Sequence, residues 1–278
     1  MAVAFLFMMP ALILLVFIRI VPSVQAFVSS FQFRGEFVGL DNYAFILSND
    51  RILGAIQTTL MFNLIVNPLQ IILALLLALL LVDRVYAPSL WRVLIFMPVA
   101  VPLSVATIVW GIAMRPDDGM LNAFLNWLGI ASQPFLVSQD QALFSIIFIA
   151  SWAGVGYWMI FLISGLKEIP ESLKEAAQLD GAGYWRTLIS ITLPLLRRTL
   201  AFVLVADTIA NFLLFSPIQI LTRGGPSNST NLIMFETYRN AFAFNDLELA
   251  YALMIVLLAI LMVVVTLQFR LLRTHESA

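Results

Sequence analysis

Long apolar runs, broken by short polar stretches, make up most of the chain. Six runs reach the length of about 20 mostly apolar residues that a helix needs to cross a bilayer core. They lie roughly at 4–28, 53–82, 92–114, 142–165, 199–221 and 248–272. Backbone polar groups cannot stay bare in lipid, so such runs are helices or strands of a closed barrel. The stretch Ile71 to Val82 is apolar at every position and lacks the period-two alternation of a barrel strand. The predicted fold class is therefore an all-α integral membrane protein with six transmembrane helices, read as a single membrane domain over 1–278. The opening run has no basic n-region and no A-x-A-like cleavage site, so it reads as a retained helix.

Composition agrees with this pattern and narrows the chemistry. Apolar residues are 62% of the chain and charged residues 11%, against about 45–50% and about 25% in soluble domains. A net charge of −1 offers no basic surface for nucleic acid. There is no cysteine, and the one histidine, His275, lies in the polar tail, so no metal centre is expected. Lys167 and Lys174 are the only lysines and neither follows a glycine, which excludes a phosphate-binding loop. No nucleophile motif is visible, and Asp117-Asp118-Gly119 reads as an external turn. No catalytic residue, metal site or cofactor is expected in this chain.

Six spans put both termini on one side, together with the loops near 83–91 and 166–198. That side carries Arg84, Arg92, Lys167, Lys174, Arg186, Arg197, Arg198, Arg270 and Arg273; the other carries Arg34, Arg51, Arg115, Arg223 and Arg239. The positive-inside bias places the termini in the cytoplasm. Trp91, Trp127, Trp152, Trp158 and Trp185 read as interfacial anchors near span ends or in loops.

Polar residues inside the spans are the candidate solute contacts. In span two, Thr59, Asn63, Asn67 and Gln70 are spaced four, four and three, on one helix face. That stripe can line a path or hydrogen-bond neighbouring helices, and the sequence leaves both open. Pro68 marks a candidate kink. Span five carries Asp207, Thr208, Asn211, Ser216 and Gln219, with Asp207 and Asn211 on a shared face. Span four carries Gly154, Gly156 and Tyr157; close helix packing is the reading that glycine favours, with Gly154 also a candidate for the wall of a cavity.

The longest loop between spans, 166–198, is the most informative segment. Pro170 suits a first helical position, Glu171 suits the positive end of the helix dipole and Gly181 suits a helix stop. Pro194 is expected to interrupt a second helical stretch shortly before span five. Within this loop, Glu175-Ala176-Ala177, Asp180-Gly181-Ala182, Ile191 and Leu193-Pro194 resemble, in type and spacing, the EAA loop of permeases from binding-protein-dependent ABC importers. Phe37 to Tyr43 and Thr222 to Thr230 resemble external segments of the carbohydrate-uptake branch, and the ending Gln268 to Leu272 resembles subunits of maltose, lactose and glycerol-3-phosphate systems. The large maltose subunit has two further N-terminal helices and a large periplasmic insertion; this chain resembles the compact six-span form.

The resemblance implies a type I ABC importer permease fold in the bacterial inner membrane. It implies, as partners, a second permease, two cytoplasmic ATPases that hold ATP and Mg²⁺, and an external solute-binding protein. It implies that Glu171, Glu175, Ala176, Ala177, Asp180, Gly181 and Ala182 couple the permease to an ATPase. It implies ligand roles for Tyr157 and Asn211, with Asp207 at a lining position where the maltose subunit has serine; Asn63 and Asn67 are further candidates. The implied cargo is a sugar, oligosaccharide, glycoside or glycerol phosphate ester. The alternatives are a self-sufficient secondary transporter or channel, for which no internal repeat is evident, and an intramembrane enzyme, for which no nucleophile or metal cluster is evident.

Overall fold

A computed structural model describes residues 2–83 and 87–272, without the side chains of 2–6, Asp83 and Leu272. Arg84, Arg273 and His275 lie outside the described residues. Helix α1 (Ala2–Leu15) passes through a π turn (Val16–Ile20) into α2 (Val21–Ser29). A short antiparallel hairpin follows, β1 (Gln32–Phe33) with β2 (Glu36–Phe37), pairing Gln32 with Phe37 and Phe33 with Glu36. Arg34 and Gly35 take φ of 53° and 82° at its tip, as a tight hairpin turn with both central residues left-handed requires. Helix α3 (Asp41–Ser48) leads to the long α4 (Asp50–Asp83). Asn42 ties this region together, donating to the carbonyls of Ser30 (2.9 Å) and Gln32 (2.8 Å).

The rest of the chain comprises α5 (Pro88–Phe96), α6 (Leu103–Ala113), α7 (Met120–Trp127), α8 (Ala142–Lys167), α9 (Glu171–Leu179), α10 (Tyr184–Thr187), α11 (Leu193–Phe212), α12 (Ile233–Phe242) and α13 (Leu247–Leu272). Helices α4, α8 and α11 pack as the centre of the bundle. One apolar cluster joins Ala74 and Ala78 of α4 to Met159 and Leu162 of α8 and Leu196 and Val203 of α11. A second joins Phe62 and Val66 to Ile146, Ile218 and Leu232 toward the other end. Smaller clusters bind α13 to α3, α4 and α12.

Five helical segments among the described residues are long and apolar enough to span: Phe7–Ser29, Asp50–Val82, Ala142–Lys167, Tyr184–Phe212 and Leu247–Leu271. The region expected as span three is different. Instead of one helix over 92–114, it is a pair, Pro88–Ala100 and Leu103–Ala113, bent by 95°. Proline disfavours helical geometry in the residue before it, and Val101, before Pro102, is extended (φ −86°, ψ 127°). The pair still connects the two ends of the bundle. Arg92 donates to the Leu81 carbonyl near the end of α4 (2.8 Å), whereas Gly111 packs on Leu221 near the opposite end.

Span five also departs from 199–221. The helix runs from Tyr184 through Pro194 and stops at Phe212. A π turn at Leu188–Thr192 precedes Pro194. The extra residue in that turn relieves the clash between the proline ring and the preceding turn and absorbs its missing N–H. The stop comes shortly before Ser216-Pro217, again a residue restricted by the proline after it. Helix α4 passes through Pro68 unbroken, so the candidate kink is not a break. Trp152 and Trp158 are not at a span end: both sit well inside α8, Trp158 is buried in the core and Trp152 packs edge-on against Trp110.

Candidate solute cleft and coupling helix

The bend in span three opens a cleft of about 530 Å³ within the bundle. Its walls are the bend itself, Pro98 to Leu103, the face of α8 that carries Gly154, Tyr157 and Trp158, and Asp207 and Asn211 of α11, with Gln70 of α4. Irregular backbone at membrane depth is tolerated where it lines a cavity. Gly156 makes the arrangement possible: a Cβ there would lie 2.2 Å from the Ile95 carbonyl oxygen, so only glycine lets α8 approach the α5 backbone. At Gly154 a Cβ would lie 3.3 Å from Gln70 Oε1, so this residue too belongs to a close crossing, of α8 with α4, as well as to the cleft wall.

Behind the wall runs a chain of buried amides and hydroxyls. Asn211 Nδ2 donates among Asn67 Oδ1 (2.9 Å), Asp207 Oδ1 (3.1 Å) and Gln70 Oε1 (3.3 Å). Asn67 Nδ2 donates to Thr208 Oγ1 (3.0 Å), which also accepts from Gln268 Nε2 of α13 (2.8 Å). Asn63 donates to the Thr59 carbonyl within its own helix (2.9 Å). In a water-free interior each such group needs a partner, and α4, α11 and α13 supply them to one another. The polar stripe of span two therefore divides. Gln70 reaches the cleft, whereas Asn63 and Asn67 are buried among helices and do not line it. Tyr157 is the open side chain of the group, 41% exposed, with its ring against Trp158 (4.8 Å) and Phe161 (5.0 Å). Asp207 is 1% exposed. Its Oδ2 lacks a full hydrogen bond and has the Trp158 indole as its neighbour.

At one end of the bundle α9 stands out from the body. Pro170 is its N-cap (ψ 131°), so the first helical residue is Glu171, one place later than expected. The C-terminus closes on Gly181, φ 78°, with Ala182 N donating to Ala177 O (2.8 Å) and Gly181 N to Gln178 O (3.0 Å). This crossed pair is the Schellman cap that a left-handed glycine permits. Of the α9 side chains only Ala177 is buried; Ala176 and Asp180 are exposed and Leu179 is 90% exposed. Glu171, Lys174 and Glu175 line a polar cleft of about 560 Å³ shared with Tyr184, Thr192 and the end of α8.

The opposite end holds a cluster that the sequence reading missed. Glu236 of α12 is fully buried and accepts from Arg51 (2.8 Å), Asn231 (2.9 Å), Asn240 (3.0 Å) and Arg239. The available signal was an acid in α12 with arginine three residues on and asparagine four on. Its other arginine is remote in sequence and becomes visible only in the fold.

A bundle of membrane-crossing helices with a broken span, a cleft at the break and an exposed capped helix at one end defines a polytopic permease. The chain belongs to the family of binding-protein-dependent transport system inner membrane components, whose pattern it matches over residues 70–275. It is 33% identical over 273 residues to the sn-glycerol-3-phosphate transport system permease protein UgpA of Agrobacterium fabrum, covering 96% of this chain and 93% of that protein. It is 34% identical over 278 residues to the UgpA of Brucella abortus, covering 96% and 94%. In structure it superposes, with a TM-score of 0.84 and 22% identity, on a chain of a bacterial alginate ABC transporter solved with an alginate pentasaccharide-bound periplasmic protein, covering 98% of this chain and 94% of that one. The fold is that of a type I importer permease. Membership of this family sets aside the self-sufficient carrier and the intramembrane enzyme.

Proposed function

We propose that the chain pairs with a second permease to form the path of an ATP-driven importer for a polyhydroxylated solute, such as a sugar, oligosaccharide, glycoside or glycerol phosphate ester. An external binding protein delivers the solute, and two cytoplasmic ATPases, which hold ATP and Mg²⁺, supply the energy. The carrying observation is the cleft at the broken span, whose wall includes the half-exposed Tyr157 ring together with Asp207 and Asn211. An aromatic face suits the C–H face of a sugar ring, and carboxylate and amide groups suit its hydroxyls. The names of the relatives, which concern sn-glycerol-3-phosphate and alginate, support a polyhydroxylated cargo.

In this reading α9 and both termini face the cytoplasm, in keeping with the arginine and lysine asymmetry. Helix α9 seats in a groove of an ATPase, with Leu179 and Ala176 on the docking side and Glu175 in a charge-assisted contact. Closure of the ATPases then moves α9 and α10 against the ends of α8 and α11 and switches access to the cleft. Tyr157 gives the cleaner test, because Asn211 also holds helices together. In the complete importer, Tyr157→Ala should lower uptake at sub-saturating solute roughly tenfold, the scale of an aromatic contact worth about 1–1.5 kcal/mol. Assembly and basal ATP hydrolysis should persist. Unchanged uptake would remove Tyr157 from the path.

A further inference from the structure

Helix α7 carries its two faces the wrong way round for a helix in water: the polar side turns inward and the apolar side outward. We infer that α7 is an interfacial anchor, lying along the bilayer surface at the end opposite α9. Met120, Phe124, Trp127 and Leu128 sink among headgroups and the upper acyl chains. The inference is independent of the proposed solute path.

Three observations carry it. First, Met120, Phe124, Trp127 and Leu128 share one helix face by their spacing. All four are exposed, Met120 to 71% and Trp127 to 78%. Asn122, on the other face, is buried, and the exposed polar side chain Asn126 bonds to Ser132 (3.2 Å). Second, α7 is pinned level with the ends of two spans. Asn122 Nδ2 donates to the carbonyls of Arg115 (3.4 Å) and Pro116 (3.0 Å), just past the end of α6, and to that of Gln133 (2.9 Å). Gln133 Oε1 in turn accepts from Gln141 (2.9 Å), the N-cap of α8. The helix is therefore held where spans three and four leave the bilayer. Third, no residue from 119 to 139 is charged, whereas a segment facing water carries about one charge in four. Arg115, Asp117, Asp118 and Asp140 bracket this stretch and are exposed. Those charges are mostly acidic, and Arg115 pairs with Asp118 (3.4 Å). Apolar burial with aromatic rings at headgroup level, and not attraction to anionic lipid, then holds α7 at the surface. Residue type alone suggested an interface for Trp127; the fold gives it a whole helix face. An anchor here steadies α6, the arm of the broken span whose first residue, Leu103, lines the cleft.

The chain has no cysteine, so a nitroxide can be attached at one introduced thiol at a time. Phe124→Cys and Leu128→Cys place it on the apolar face, and Asp117→Cys places it on the turn before α7. All three side chains are exposed, so folding is not at stake. The complete importer in lipid nanodiscs, carrying one label, is read by electron paramagnetic resonance power saturation. Molecular oxygen, which concentrates in lipid, is compared with nickel–EDDA, which stays in water. The oxygen-to-nickel collision ratio at 124 and 128 should exceed that at 117 severalfold. Ratios at 124 and 128 no higher than at 117 would overturn the inference, because the face would then meet water. Exclusion of both reagents at 124 and 128 would overturn it as well and assign the face to a second permease or to the external binding protein. No outcome bears on the uptake test of Tyr157, so failure of the anchor and failure of the solute path are read separately.

Discussion

Two short helices lie outside the main spans at opposite ends of the bundle, and they are built on contrasting plans. Helix α12 is finished within the chain: its acid Glu236 is buried among Arg51, Arg239, Asn231 and Asn240. Its first N–H groups lack a side-chain cap of their own, and one of them, on Ile233, is met by Thr59 of α4 (2.8 Å). Helix α9 leaves its acids Glu171 and Glu175 exposed and presents Leu179 almost wholly to solvent. Its C-terminus is closed by the Gly181 cap. The difference teaches where each helix draws its stability. Helix α12 draws it from this subunit, whereas α9 leaves most of its side chains open, as the proposed ATPase docking helix requires.

The largest expected effect breaks this contrast at its acids. Glu236→Ala leaves two arginines close together in a largely buried site, and removing one partner of such a cluster costs about 3–5 kcal/mol. Thermal unfolding of the purified subunit should register this as a pronounced loss of stability. Glu175→Ala should leave unfolding within about 0.5 kcal/mol, as exposed substitutions do, and impair coupling instead. If both variants melted alike, the two helices would not differ in the way proposed.

A smaller effect sharpens the same contrast at the cap of α9. Gly181 has open space around its missing Cβ but holds φ at 78°. A substitution there meets backbone strain and no clash. Gly181→Val should cost the last turn of α9 about 1–2 kcal/mol and fray it. ATPase co-purification and solute uptake should both fall, with little change in subunit melting. Gly181→Asn should be milder, because asparagine tolerates the left-handed region. Full retention of both activities in the valine variant would show that the cap is not needed for coupling.

Features set by local sequence were legible before the fold. The α9 cap follows from glycine at one position, and the long spans follow from hydropathy. Phe37 to Tyr43 stood out as a motif, and Asn42 and Tyr43 prove to fasten α3 to Ser30, with Asn42 also reaching the hairpin at the Gln32 carbonyl. Features set by long-range geometry were not legible. Average hydropathy hid the bend at Val101-Pro102, because an apolar run looks the same straight or broken. The proline pair was its signal, whereas Pro68 and Pro194 sit within helices, so a proline alone does not decide. The stripe of span two was legible as a face, but only packing shows that Gln70 reaches the cleft while Asn63 and Asn67 bond to other groups. Trp152 and Trp158 read as interfacial by residue type and are interior by position. Glu236 was overlooked because Arg51 lies far from it along the chain.

The smallest effect asks whether the ion cluster alone fixes α12. Thr59 Oγ1 donates to the Ala55 carbonyl (2.7 Å) and accepts the Ile233 N–H, and both Thr59 and Ile233 are buried. Thr59→Val keeps the shape of the side chain and removes the hydroxyl, so the Ile233 N–H loses its acceptor away from water. The net value of such a bond is about 1 kcal/mol, partly offset by the added methyl group. Subunit melting should therefore fall slightly, uptake should stay close to normal, and Thr59→Ser should restore the melting temperature because serine keeps the hydroxyl. A fall that serine repairs assigns the effect to this one bond and makes α4 a second anchor of α12, independent of Glu236. Melting unchanged by Thr59→Val would mean that the charged cluster alone holds the helix. The contrast with α9 would then rest on Glu236 and its arginines.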